Sequence, residues 1–190
     1  WLYSPMGLKA VGLGAILFVT GMCIHGMVYA GHIYTTRYEV PGKKDAHLKI
    51  ALVADLHLGY SIGQWHMNNM VEKINALNPD LVVIAGDIFD NEYDALDDPA
   101  KLAATLRTIQ STYGVYACYG NHDIEEPILA GFTFRSDGKK QSSPEMDAFL
   151  ASANIRLLRD EAVLLGGEVY LYGRPDAQRP GRGVEVRKTP

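Results

Sequence analysis

The chain has 190 residues, of which 47% are hydrophobic, and its formal net charge is −4 at pH 7. This length suits one domain with an appendage, and the apolar share is enough to fill a core. The acidic balance argues against a nucleic-acid-binding protein, which would need a basic surface, so we expect no nucleic-acid partner. The two cysteines, Cys23 and Cys118, lie in unlike apolar contexts and are predicted to be reduced thiols rather than a disulfide.

The first predicted element is a membrane segment. No Asp, Glu, Lys or Arg occurs between Lys9 and Arg37, and the apolar core VGLGAILFVTGMCIHGMVYA covers residues 11–30. About 20 apolar residues cross ~30 Å of hydrocarbon as a helix, and aromatic residues at both flanks suit the two interfaces. We therefore predict a transmembrane segment with its flanks over residues 1–36, contacting the membrane through residues 8–30. A signal peptide and a buried helix of a soluble protein are the alternatives.

Basic residues are more frequent after this segment than before it. Lys9 precedes the span, whereas Arg37, Lys43 and Lys44 follow it. The positive-inside rule then favours a cytoplasmic position for the domain that follows, but the side stays open because any residues before Trp1 are not included in this comparison. Residues 37–47 are polar and contain Pro-Gly, so they are predicted to be the linker, with a possible edge strand around residues 38–40.

Short apolar runs then alternate with segments of helical periodicity. The strands are predicted at residues 48–54, 80–86 and 114–120, and the helices at residues 65–77 and 99–110. A further helix over residues 144–153 and two or three strands over residues 155–173 follow, and residues 177–190 are a loop or tail rich in Gly, Pro and Arg. Strands alternating with helices predict an α/β fold with a parallel sheet.

Polar side chains follow each of the first three predicted strands. These residues are Asp55 and His57, then Asp87 and Asp90, then Asn121 and His122. Each motif alone is more typical of a turn than of a site. The carboxyl ends of neighbouring parallel strands meet at one edge of a sheet, however, and ligands bind there. Carboxylate, imidazole and amide oxygen are ligands for Mn, Fe, Zn or Mg, so the three motifs together indicate a metal site.

The ordered motifs D-x-H, G-D-x-x-D and G-N-H-[DE] stand here as ADLHLG, GDIFD and GNHD. In this order the chain resembles the calcineurin-like metallophosphoesterase superfamily, and the apolar segment upstream makes it most similar to the membrane-anchored bacterial branch. The resemblance covers roughly residues 46–176, and we expect the domain itself over residues 48–176. It implies a metallophosphoesterase-type β-sandwich flanked by helices and a location in the inner or plasma membrane of a bacterium.

The resemblance also implies a reaction and a role for each residue. The reaction is hydrolysis of a phosphoester by a phosphodiesterase, phosphatase or pyrophosphatase that uses two divalent metal ions, with manganese favoured over Fe, Zn or Mg. Its substrate would be a phosphoester small molecule or a lipid-linked compound. Asp55 and His57 would bind the first metal, Asp87 both metals and Asn121 the second, while His122 would be the general acid and Asp90 would orient it.

The chain departs from the family pattern in two places. No histidine occurs after His122, whereas the family has an isolated His and a G-H-x-H block further on. We therefore expect the domain to be incomplete at its C-terminus and this fragment alone to be nearly inactive. Asn91 stands where the protein-phosphatase branch has an Arg that grips phosphate, which argues against that branch and leaves the substrate open.

Two other classes of protein are alternatives. A membrane-tethered, non-catalytic domain that binds a metal or a nucleotide would need none of the absent histidines. An aspartyl-phosphate phosphatase of the haloacid type also has an Asp after its first strand, but it needs a second Asp two residues later. His57 occupies that position, which argues against this type.

Overall fold

The computed structural model describes residues 4–42, 47–125, 128–129, 132–133, 142–174 and 176. It divides into two compact units, Trp1–Pro41 and Gly42–Pro190. The predicted tail over residues 177–190 and residues 43–46 of the predicted linker lie outside the described residues.

The first unit is built on one long apolar helix. Helix α1 (Pro5–Ala30) begins at Ser4, whose hydroxyl oxygen accepts a hydrogen bond of 3.1 Å from the backbone N–H of Gly7. Its 26 residues extend about 39 Å, and an 18-residue window within them has a mean hydropathy of 1.9. By length and composition this helix is able to cross a membrane. The prediction of an edge strand around residues 38–40 is wrong, because residues 32–42 form neither helix nor strand.

The second unit alternates strands and helices. Its helices are α2 (Gln64–Leu77), α3 (Pro99–Leu106) and α4 (Pro144–Ser152). Its described strands are β1 (Ile50–Val53), β2 (Leu81–Ala85), β3 (Val115–Cys118), β4 (Ile128–Leu129), β5 (Phe132–Thr133), β6 (Ile155–Leu157), β7 (Glu161–Leu165) and β8 (Val169–Gly173). A short 3₁₀ turn, Tyr93–Ala95, follows the second motif. The α/β class predicted from the alternation is confirmed.

Four of the strands form one parallel sheet in the order β1-β2-β3-β6. Strands β7 and β8 pair as an antiparallel hairpin, and β4 and β5 pair in the same way. All carboxyl ends of a parallel sheet lie at one edge, so the loops after β1, β2 and β3 are neighbours.

The two faces of the parallel sheet differ in burial. Ala51, Val82, Val115 and Ile155 occupy one register row and are all buried. The helices supply the apolar residues of this core, with Met67, Met70, Val71, Ile74, Leu102, Leu106, Phe149 and Leu150 all buried. On the other face Leu52 is 69% exposed. One face of the sheet therefore carries the core of this unit.

Candidate metal centre

The first two motifs lie side by side because the strands keep pairing beyond their ends. Asp55 donates its backbone N–H to the carbonyl of Gly86 at 3.2 Å, and His57 donates to the carbonyl of Asp87 at 3.0 Å. An isolated bridge between Leu58 and Phe89 continues the ladder. These bonds fix the D-x-H loop against the G-D-x-x-D loop, so side chains 30 residues apart in sequence meet.

Two glycines allow the second and third motifs to approach each other. Gly86 has a φ of +87°, and a Cβ there would lie 2.7 Å from the Cα of Gly120. A Cβ on Gly120 would lie 2.2 Å from a carboxylate oxygen of Asp87. Real Cβ atoms do not come so close, so the glycine that opens each motif is required by the packing of the two loops.

Three side chains of the first two motifs converge on one point. Asp55, His57 and Asp87 each offer one ligand atom, and these atoms all lie within 4.8 Å of one another. Nε2 of His57 is 4.0 Å from the carboxylate of Asp55. Two carboxylates and an imidazole suit a divalent transition metal, and a cation would relieve the repulsion between the carboxylates. The donor set therefore fits a metal ion.

The other nitrogen of the His57 ring faces a third carboxylate. Nδ1 of His57 lies 3.4 Å from Asp90, whose carboxylate is also 3.8 Å from Nδ1 of His122. The rings of His57 and His122 meet edge to face with centroids 4.8 Å apart. His57, Asp90 and His122 thus form a second cluster with ligand atoms within 4.8 Å. A carboxylate behind a metal-binding imidazole orients the ring and raises its basicity.

The backbone of the site adopts an uncommon conformation. Four non-glycine residues of the two loops have positive φ: Asp55 (+55°), His57 (+43°), Asp87 (+51°) and Asn91 (+65°). Residues other than glycine enter this left-handed region at a cost of about 1 kcal/mol or more, and such strain concentrates at functional sites. Here all four positions lie in the two loops that carry the candidate ligands.

His122 is held at two points. Its backbone N–H donates to a carboxylate oxygen of Asp87 at 2.8 Å, and its Nδ1 is hydrogen-bonded to the side-chain oxygen of Asn91. Its side chain is 34% exposed, so the ring is reachable from solvent. In the sequence Asn91 stands out only as a replacement for Arg, and nothing in the motif predicts its contact with this histidine.

Asp123 is the last residue of the third motif, and its carboxylate is bonded to the backbone of two loops. Its side chain is fully buried, with one oxygen accepting from the backbone N–H groups of Ile88 and Phe89 at 2.8 Å each. The other oxygen accepts from the N–H of Gly120 at 2.7 Å. Burial raises the pKa of Asp123, while these three N–H donors act to lower it. Asp123 therefore ties the second loop to the third.

Asn121, the remaining predicted metal ligand, lies in the third loop between Gly120 and His122, and its side chain is exposed. The structure therefore brings the three predicted motifs to one edge of the sheet. The roles assigned to their residues, as ligands or as general acid, stay predictions.

Comparison with known proteins agrees with this architecture. The profile of the calcineurin-like phosphoesterase family matches residues 48–175. The match covers the parallel sheet, the three loops and the β7–β8 hairpin. The chain belongs to the calcineurin-like phosphoesterase family, and the superfamily inferred from its motifs is confirmed.

Several curated relatives are similar to this chain. A zebrafish transmembrane protein with a metallophosphoesterase domain is 31% identical over 92% of this chain and 40% of its own length. An uncharacterized metallophosphoesterase of Campylobacter jejuni is 31% identical over 59% of this chain and 29% of its own. The UDP-2,3-diacylglucosamine pyrophosphatase LpxG of Chlamydia trachomatis is 34% identical over 43% of this chain and 25% of its own. The chain spans less than half the length of these relatives, which include vertebrate and bacterial proteins, so the bacterial branch stays a prediction.

Proposed function

We propose that this chain belongs to a metal-dependent phosphoester hydrolase with a dinuclear centre, in which Asp55, His57, Asp87 and Asn121 are metal ligands. The observation that carries the proposal is the convergence of Asp55, His57 and Asp87, whose ligand atoms lie within 4.8 Å of one another. Membership of the phosphoesterase family gives the reaction class. Divalent ions at such a site, with manganese as the first candidate, supply Lewis acidity toward the phosphoryl oxygens and lower the pKa of water.

The side chains around the ligands have separate tasks in this proposal. His122 is the general acid that protonates the leaving oxygen, since its ring is partly exposed beside the ligand cluster. Asp90 lies within ion-pair distance of His57 and His122 and adds negative charge beside both rings. The carboxylate of Asp87 accepts a hydrogen bond from the backbone N–H of His122, so a proposed metal ligand contacts the proposed general acid directly.

The substrate we propose is a phosphoester or pyrophosphate, either a small molecule or a lipid-linked compound. The support is twofold: one relative is named as a pyrophosphatase of UDP-2,3-diacylglucosamine, and two others are named transmembrane proteins. Helix α1 would hold the domain at a membrane, and we propose the inner or plasma membrane of a bacterium. A domain fixed at the bilayer surface would meet a lipid-linked substrate without extracting it.

We also propose that residues outside these 190 complete the site. No histidine follows His122 in the sequence, and the chain spans 40% of the zebrafish relative. The apolar sheet face that carries the exposed Leu52 is a surface that a second sheet of the same domain would cover. The 190-residue chain alone would then hold metal weakly and hydrolyse little substrate.

Substitution of Asp87 tests the hydrolase assignment. We expect Asp87→Asn in the complete protein to lower Mn²⁺-dependent hydrolysis of bis-p-nitrophenyl phosphate by at least about 100-fold, because the amide removes a ligand charge shared by the metal site. Asp97→Asn is the matched control. Asp97 is an exposed aspartate ten residues after Asp87, so its substitution should leave the rate unchanged. Equal rates for Asp87→Asn and the unmodified protein would refute the assignment.

Calorimetric titration of the 190-residue chain in detergent tests whether the ligand set is complete. We expect weak Mn²⁺ and Zn²⁺ binding that Asp55→Asn and Asp87→Asn weaken further. Two tight sites on the unmodified chain would contradict the proposal, because four ligands would then suffice for the dinuclear centre.

A further inference from the structure

We propose that Asn91 is the positioning residue of His122 and fixes which ring nitrogen carries the proton used in catalysis. The side-chain oxygen of Asn91 is hydrogen-bonded to Nδ1 of His122. An amide oxygen is only an acceptor, so Nδ1 must carry a hydrogen. Nε2 is then left as the nitrogen that exchanges a proton with the substrate. The inference rests on the proposed function, in which His122 is the general acid.

Asn91 is buried and is hydrogen-bonded to His122 through both its backbone and its side chain. It is 0% exposed, and its backbone N–H donates to the carbonyl of His122 at 3.1 Å. Its φ of +65° lies in the left-handed region, which asparagine enters more readily than most residues. Two hydrogen bonds, one from the backbone and one from the side chain, therefore connect Asn91 to the same histidine. A ring held in this way has little freedom to rotate.

The other end of the Asn91 amide argues against a purely structural role. Its Nδ2 is buried without a hydrogen-bond partner among the described residues. A buried amide donor without a partner destabilises the folded state, and an apolar side chain would avoid that cost. Unlike an apolar residue, asparagine offers a side-chain oxygen that accepts a hydrogen bond from Nδ1 of His122.

Asp90 is less suited to this positioning task. Its carboxylate is 3.8 Å from Nδ1 of His122, beyond hydrogen-bond distance, and 3.4 Å from Nδ1 of His57. Its side chain is 53% exposed, so water competes for its oxygens. Asp90 therefore contributes charge to both imidazoles, whereas Asn91 sets the orientation and the tautomer of one of them.

The proton inventory of the reaction explains why the tautomer matters. A water oxygen forms a new bond to phosphorus as the bond from phosphorus to the leaving oxygen breaks. The electron pair of the broken bond goes to the leaving oxygen, which takes the proton from Nε2 of His122. The ring is then neutral and keeps the hydrogen on Nδ1, which donates a hydrogen bond to the side-chain oxygen of Asn91. Nε2 is now a base that regains a proton from water for the next cycle. If the neutral ring carried its hydrogen on Nε2 instead, Nε2 would have no lone pair with which to regain a proton.

The tautomer can be measured without activity or metal. We expect long-range ¹H–¹⁵N correlation spectra of the 190-residue chain in detergent, recorded at high pH, to place the hydrogen of neutral His122 on Nδ1. His122→Gln identifies the resonance. Asn91→Gly should shift the population toward Nε2–H, because glycine accepts the positive φ and removes only the amide. Asn154→Gly is the matched control. Asn154 also has a positive φ, of +58°, but it lies directly before β6, at the end of the sheet opposite the site. The same tautomer in the Asn91→Gly variant would overturn the inference.

Kinetics of the complete protein provide the second measurement. For a phosphodiester with an alkyl leaving group, we expect His122→Ala to lower kcat by about 10²–10⁴-fold. Asn91→Gly should lower it by about 10–100-fold with its metal content intact. Both losses should shrink for a p-nitrophenyl ester, whose leaving group needs no proton. An equal loss on both esters in Asn91→Gly would overturn the positioning role. Full activity of Asp87→Asn would instead refute the hydrolase assignment and leave the tautomer result standing.

Discussion

The aspartates of this site divide into two groups by burial. The side chains of Asp55 and Asp90 are 70% and 53% exposed, so their oxygens are available to a ligand. Asp123 is fully buried, and three backbone N–H groups already occupy its two oxygens. A carboxylate with its lone pairs satisfied by the backbone is a poor metal ligand. The same residue type thus exposes its oxygens in one place and joins two loops in another.

Removal of the Asp123 carboxylate should therefore affect folding. We expect Asp123→Ala to lower the free energy of unfolding by about 3 kcal/mol or more, because two buried N–H groups and one part-buried N–H group lose their acceptor. Urea titration in a mild detergent, followed by tryptophan fluorescence, measures the change. The exposed Asp97 provides the control, and Asp97→Ala should change stability by less than about 0.5 kcal/mol. A difference below about 1 kcal/mol between the two variants would contradict this role.

At the scale of elements, the site depends on how closely the loops after β2 and β3 approach. Gly86 and Gly120 face each other there, and neither position has room for a Cβ. The backbone ladder from β1 continues into the second loop through Asp55 and His57. Since each strand is short, the positions of the candidate ligands are set by these loop contacts as much as by the sheet.

A methyl group at Gly120 should disrupt this arrangement. We expect Gly120→Ala to destabilise the second unit by about 3 kcal/mol and to weaken metal binding, because its Cβ would overlap Asp87. Gly63→Ala is the control, since a Cβ there meets nothing within 4 Å and φ is −135°, so we expect a change of less than about 1 kcal/mol. Urea titration and calorimetry measure the two effects. Unchanged metal affinity in Gly120→Ala would show that the loops can separate without loss of the site.

At the scale of the whole molecule, the two units have opposite relations to water. Helix α1 has one charged residue, Lys9, and is otherwise largely apolar, and its residues are exposed apart from Gly7. The second unit buries its apolar residues between its sheet and helices. An apolar helix without a protein partner is stable in a bilayer and is a liability in water. This contrast supports membrane association.

A charge in the middle of α1 tests whether the helix spans the bilayer. Leu17 lies near the centre of Pro5–Ala30, where Arg costs about 2.5–3.5 kcal/mol of insertion free energy. We expect Leu17→Arg to reduce the fraction of the chain that resists alkaline extraction from membranes. Lys9→Arg keeps the charge near the helix end and should behave as the unmodified chain. Release of the unmodified chain by alkali would show that α1 does not span the membrane.

The sequence by itself determined the elements and the family. Apolar runs of strand length and helical periodicity placed β1, β2, β3, α2, α3 and α4 to within a few residues. Local sequence is sufficient for these because periodicity reports which side of an element is buried. The order of the three motifs resembles that of the phosphoesterase family, and the family match agrees with this resemblance. The convergence of the motifs followed from the alternation of strands and helices, since the carboxyl ends of parallel strands share one edge.

Only the tertiary structure decided which side chains touch within that edge. It paired Asn91 with His122, placed Asp90 beside His57 as well as His122, and gave Asp123 three backbone donors. Such contacts join residues about 30 positions apart through loops of left-handed backbone, whose geometry depends on the neighbouring loop. Periodicity carries no information about those angles, because each is fixed by packing against a segment distant in sequence.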